Sequence, residues 1–132
     1  MIKRIMFVGI PILSVVVGYL IFALTAFALF QISGQSPHQR APVSFMVGST
    51  IYGCVFAFLG GYVAAFLAKR RPLTHGVAVA LVLALGAALS LIATIGKGAI
   101  WSQVAAIALM APCAALGGWR RAKNSLPEPS VN

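Results

Sequence analysis

Four long apolar runs divide the chain, and no Asp, Glu, Lys or Arg falls inside any of them. They are expected at about residues 5–30, 45–68, 76–95 and 99–119, each near or above the roughly 20 residues that cross a bilayer as a helix. In hydrocarbon every backbone N–H and C=O must be satisfied within the protein, and a helix does this for each run alone. Composition agrees: of 132 residues, 61% are hydrophobic and 8% charged, against roughly a quarter charged in soluble domains. The chain is therefore read as all-α, an integral membrane protein with four transmembrane helices in an up-down bundle. Residues 1–123 form this one domain, and 124–132, polar and without an apolar period, are expected to be a disordered cytoplasmic tail.

Each boundary has a local cause. The first run, Ile5 to Phe30, reaches roughly 39 Å at about 1.5 Å per residue, more than the roughly 30 Å hydrocarbon core, so it must tilt, bend or protrude. Pro11, near its start, is where a bend is expected. Lys3, Arg4 and the later Ala26-Phe27-Ala28 imitate a cleaved signal peptide. Such a peptide has an apolar core of only about 7–15 residues, so retention as a membrane helix is the better reading. Gln31 to Ser44 is polar and interrupted by Pro37 and Pro42, which is loop chemistry. Lys69-Arg70-Arg71-Pro72 closes the second run, Gly96-Lys97-Gly98 turns the chain after the third, and Arg120-Arg121-Ala122-Lys123 follows the fourth. Within the fourth run Pro112 deprives the Ala108 carbonyl of its donor, and a kink is expected there.

The formal charge of +9 is organised by topology. Nucleic-acid binding would gather it on one face beside polar or aromatic readers, whereas here it lies in short clusters between apolar runs. Lys3, Arg4, Lys69, Arg70, Arg71, Arg120, Arg121 and Lys123 fall on one side of the expected bundle, and Arg40 and Lys97 on the other. Eight against two orients both termini and the central turn toward the cytoplasm. Trp101 and Trp119 bracket the fourth run, as amphipathic indoles do at the two interfaces. Lys69, Arg70, Arg71, Arg120, Arg121 and Lys123 are assigned to topology and to anionic lipid headgroups.

Small residues recur every four positions in two adjacent runs: Ser49, Gly53, Ala57, Gly61 and Ala65 in the second, and Gly76, Ala80, Ala84 and Ala88 in the third. That spacing puts them on one helix face, where another backbone can approach closely. The short turn between the runs leads us to expect the two stripes to face each other. Leu59-Gly60-Gly61-Tyr62 and Leu116-Gly117-Gly118-Trp119 form a faint repeat. Their different distances from the basic clusters make coincidence at least as good an account as duplication.

Residues able to carry chemistry are few. Charged groups at membrane depth mark ion pathways and proton relays, and their absence from all four runs argues against a proton-coupled transporter. His75 begins the third run and His38 lies in the first loop, on opposite sides, so the two cannot share a haem. His75 alone is a candidate cofactor ligand, outweighed by its reading as an interfacial histidine, and His38 reads as a solvated loop residue. Cys54 lies fifteen residues before Lys69 and Cys113 seven before Arg120, a depth difference of roughly 12 Å along the helices, which argues against a bridge. The hydroxyls of Ser14, Thr25, Ser49, Thr50, Tyr52, Ser90 and Thr94 suit packing better than a polar path. No nucleotide-binding, nucleophile-elbow or clustered metal-ligand motif occurs. Neither a catalytic residue, a metal site nor a bound cofactor is expected.

The stretch Gly60-Gly61-Tyr62-Val63-Ala64-Ala65 with Arg70-Arg71-Pro72-Leu73-Thr74-His75-Gly76 resembles what occurs in small four-helix bacterial membrane proteins of uncharacterised function. The resemblance implies a multi-pass protein of a bacterial inner membrane and supplies neither an activity nor a site. Two functions fit these features: a scaffold or accessory subunit packing as a homo-oligomer or in a larger membrane complex, and an uncoupled channel or small-solute transporter formed as an oligomer. The expected partners are membrane lipids and other membrane chains, not nucleic acid.

Overall fold

A computed structural model describes residues 1–36 and 38–124. Among these residues it contains no strand and four helices long and apolar enough to cross a membrane: α1 (Ile2–Ser33), α2 (Val43–Ala68), α3 (Pro72–Thr94) and α4 (Trp101–Asn124). The helices extend past several expected limits. α1 begins within the basic N-terminal residues, and α4 continues past Trp119 through the basic cluster to Asn124. Asn124 thus belongs to a helix and not to the tail, while 125–132 lie outside the described residues.

The helix ends follow local chemistry. α1 stops at Gly34, whose φ of 70° is left-handed and whose N–H donates to the Phe30 carbonyl at 3.1 Å. Glycine adopts that backbone without a Cβ clash, which is why it closes helices. The α2–α3 turn does the same without glycine, because Lys69 and Arg71 have φ of 61° and 46°. Pro72 then opens α3 at a position where its missing N–H leaves no bond unmade. In α4 the disturbance expected from Pro112 takes a definite form: residues Ala106–Met110 are a π-helical turn, and the Ala111 N–H donates to the Ala106 carbonyl five residues back. Widening the helix just before proline relieves the clash that its ring would otherwise make one turn earlier.

Contacts at the two ends fix the relative directions. The α1–α2 loop meets the α3–α4 turn, where the Ala99 N–H donates to the His38 carbonyl at 2.9 Å. At the opposite end the Arg121 guanidinium lies over the Phe66 ring, 4.8 Å from its centroid. We call these the loop end and the basic end. α2 and α3 pack together and both pack on α4, while α1 rests on α2 and α3 and its backbone makes no contact with α4. α1 is also the least enclosed, with 11% of its most apolar stretch buried against 39% for α2 and for α4.

The two small-residue stripes do not face each other; α4 lies against both. A Cβ built on Gly61 would strike the Ala114 carbonyl, one on Gly53 would strike the Met110 side chain, and one on Gly76 would strike Gly118. Ala57 and Ala65 are fully buried and Ala80 nearly so, whereas Ala84 and Ala88 are only half-buried. The two Gly-Gly pairs work alike. Gly60 meets Gly18 of α1 while Gly61 meets α4; Gly117 meets the Phe58 carbonyl of α2 while Gly118 meets Gly76 of α3. Consecutive glycines point about 100° apart on a helix, so each pair opens its helix to two neighbours at once.

The cysteines also depart from expectation. Cys54 and Cys113 are neighbours packed on the same buried cluster, and both are free. The sequence estimate set Arg120 level with Lys69. In the structure Arg121 instead reaches Phe66, and the Tyr62 side chain lies near Asn124 and Arg121. That offset of about one turn, roughly 5 Å, carries Cys113 toward Cys54.

A candidate site at the loop end

The basic half of the bundle is closed by the glycine contacts, but the loop half is not. Above the level of Gly53 and Met110 the four helices surround a cavity of about 700 Å³, within the range of about 300–1,000 Å³ usual for small-molecule sites. Tyr19, Phe22 and Phe30 wall it on α1, Ser49 and Tyr52 on α2, and Trp101 on α4. The π-helical turn borders it, since Ala106 and Met110 are both lining residues.

Three aromatic rings close one edge. Phe30, Phe45 and Trp101 have centroids 6.0–6.4 Å apart, in edge-on and tilted pairs. Such geometry suits the ring quadrupoles. The Trp101 indole N–H donates to the Gln39 carbonyl at 2.9 Å. Phe30 and Trp101 thereby bridge α1 and α4 by side chains where their backbones stay apart. Trp101, expected only as an interfacial anchor, also holds the loop end together. Deeper, the Tyr52 hydroxyl donates to the Thr25 carbonyl at 3.1 Å and its ring lies 4.6 Å from that of Phe56.

The polar head of the cavity is built around Gln103, which is 4% exposed. Its amide nitrogen donates to His38 Nδ1 at 2.7 Å and approaches Ser90 Oγ at 3.4 Å and Thr94 Oγ1 at 3.5 Å; its Oε1 accepts from Ser102 Oγ at 3.0 Å. With the amide as donor, His38 carries its own proton on Nε2. His38 is thus not a solvated loop residue. It is seated because Gly98 lets the α3–α4 turn approach closely: a Cβ there would lie 2.6 Å from the His38 carbonyl.

Gln103 is the residue that the sequence reading passed over. The signal was present, since it is the only carboxamide inside any of the four expected runs, and a lone amide in an apolar helix must find partners or destabilise the fold. What sequence could not show is that the partners come from a loop and from α3.

The remaining hydroxyls are turned on their own helices. Ser14 donates to the Pro11 carbonyl at 2.7 Å, Thr25 to Ile21 at 2.7 Å, Thr50 to Met46 at 2.7 Å and Thr94 to Ser90 at 2.8 Å. Ser49, in the small-residue stripe, also bonds Met46 and lines the cavity.

His75 sits at the basic end, remote from His38. Its Nδ1 lies 3.0 Å from the Arg71 carbonyl, and its ring borders a shallow apolar groove between α1 and α3 with Pro11, Val15 and Val82. Among the described residues no three of His, Cys, Asp and Glu converge as metal ligands. Lys69, Arg70 and Arg71 are exposed at this end, with Arg120, Arg121 and Lys123 beside them; Lys123 lies 5.4 Å from the Trp119 ring centroid.

Compared with protein-family models, with curated proteins and with solved structures, the chain finds no match.

Proposed function

We propose that this chain is a multi-pass protein of a bacterial inner membrane, an up-down bundle with both ends and the Lys69–Arg71 turn on the cytoplasmic side. It serves as a scaffold or accessory subunit, associating with copies of itself or with a larger membrane complex, and not as an enzyme. What supports a subunit over a pore is the disposition of its polar groups. The hydroxyls of Ser14, Thr25, Ser49, Thr50 and Thr94 bond carbonyls of their own helices, and the basic half is closed by glycine-to-backbone contacts. A solute path through one chain would need polar groups facing a continuous opening. The apolar face of α1, with Leu13, Leu20, Leu24 and Phe27 exposed, offers surface for lipid or for another chain. The six basic residues hold anionic headgroups on the cytoplasmic side.

Purification in mild detergent, with mass and absorption spectrum read together, tests this. A stoichiometric partner chain or a defined homo-oligomer supports the subunit reading, and a partner-free monomer overturns it. An oligomer that conducts in liposomes replaces it with the alternative, an uncoupled channel or small-solute transporter formed between copies. A visible absorption band lost on His75→Ala would restore His75 as a cofactor ligand.

A further inference from the structure

We propose that the loop-end cavity binds a neutral lipophilic carbonyl compound, a quinone-like molecule, with its planar head under His38 and Gln103 and its tail between α1 and α4. The chemistry of the lining selects the class. Among the described residues no Asp, Glu, Lys or Arg borders the cavity. A charged head would therefore leave water without a counter-ion, which is costly at membrane depth. The polar groups offer donors. Because the Gln103 amide donates to His38 Nδ1, the ring proton of His38, a residue lining the cavity, is on Nε2, and the second amide hydrogen of Gln103 makes only the long contacts of 3.4 and 3.5 Å to Ser90 and Thr94. Convergent donors match carbonyl oxygens better than hydroxyl or ammonium hydrogens. The walls supply flat apolar faces in Phe22, Phe30 and Trp101, and rings of this kind stack on a planar conjugated head.

An apolar tail has a way out. Away from the Phe30–Trp101 ring pair the α1 and α4 backbones make no contact, and Phe27, at the cavity edge, is 64% exposed. In a membrane that opening faces acyl chains, so a long hydrocarbon substituent stays in an apolar medium. The volume of about 700 Å³ accommodates a substituted ring with the first part of such a chain. The site does not depend on the subunit role proposed above, since all its walls come from one chain.

The two tryptophans make the test internal, because Trp101 lines the cavity and Trp119 lies at the far end. The full-length protein in detergent micelles is titrated with a benzoquinone carrying a ten-carbon chain, and fluorescence quenching is followed in Trp119→Phe and Trp101→Phe variants. Saturable quenching of Trp101 at concentrations that leave Trp119 unaffected is expected; equal, non-saturating quenching of both, as partition into the micelle gives, overturns the site. In the Trp119→Phe background, Gln103→Leu is expected to raise the half-saturating concentration about tenfold. Ala26→Phe, which adds bulk to the cavity wall without removing a hydrogen bond, should abolish saturation. If Ala26→Phe melts as the parent does and still titrates as the parent does, the proposal fails, whatever Gln103→Leu does to folding.

Discussion

Gly61 of α2 lies so close to the Ala114 carbonyl of α4 that a methyl group at position 61 would overlap it. The obstacle is backbone, not a side chain that could rotate away, so the helices themselves must separate. Gly61→Ala is expected to destabilise the bundle by about 3 kcal/mol, the upper end of overpacking costs of about 1–3 kcal/mol. Gly48, on the same helix, has nothing within 4 Å of a Cβ built on it, and Gly48→Ala should change stability by no more than about 0.5 kcal/mol. Equilibrium unfolding of both variants in mixed micelles checks the pair; equal effects would mean that α4 does not lie against α2 at this register.

The contact of Cys54 with Cys113 yields a second prediction. Two free, neighbouring thiols on adjacent helices should be joined by a short thiol-to-thiol cross-linker that enters the membrane. Intact-mass measurement should show a single intramolecular adduct in the parent, and only singly anchored reagent in Cys54→Ser and Cys113→Ser. Two independent adducts on the parent would return the cysteines to different depths and remove the one-turn offset of α4.

Much of this architecture was legible in the sequence because membrane helices are bounded by simple physics. The second run was expected to end before Lys69 and does, the first was expected to end at Phe30 and runs three residues further to Ser33, and the kink expected from Pro112 takes the form of a π-helical turn. The small residues of α2 were visible for the same reason: four-residue spacing makes a face. Which helix that face meets was not visible. Gly53, Gly61 and Gly76 all meet α4 because α4 enters between α2 and α3, and nothing local to either stripe encodes contacts with Met110, Ala114 and Gly118, far along the chain. The site was less legible still. His38 and Gln103 are sixty-five positions apart and become neighbours only when Gly98 admits the His38 carbonyl.

That last dependence is testable. Gly98→Ala places a methyl group against the His38 carbonyl, so the α1–α2 loop must move away and the Ala99 N–H loses its acceptor. Loss of that bond and of the Gln103 contact should cost about 1–3 kcal/mol. Amide hydrogen exchange at residues 38–40 and 99 should rise while exchange in α2 below Gly53 stays unchanged. Uniform acceleration across the bundle would instead make Gly98 a determinant of global folding.

The orientation proposed above rests on where the cations end up. At the basic end Lys69, Arg70 and Arg71 are exposed, and Arg121 and Lys123 lean on Phe66 and Trp119, so these charges sit at one interface with aromatic faces beneath them. Each Lys or Arg near an anionic cytoplasmic leaflet contributes about 1 kcal/mol, and only Arg40 and Lys97 oppose that preference from the loop end. In a Cys54→Ser, Cys113→Ser background, Gln35→Cys should therefore react with a membrane-impermeant maleimide in intact cells. Asn124→Cys should react only after the membrane is opened. The His38 loop and the cavity mouth beside it would then lie toward the outer face, and a quinone-like ligand would meet its hydrogen-bond donors in that half of the bilayer. The reverse labelling pattern would invert the bundle, place the cavity in the cytoplasmic half, and require a force stronger than the eight-to-two charge asymmetry.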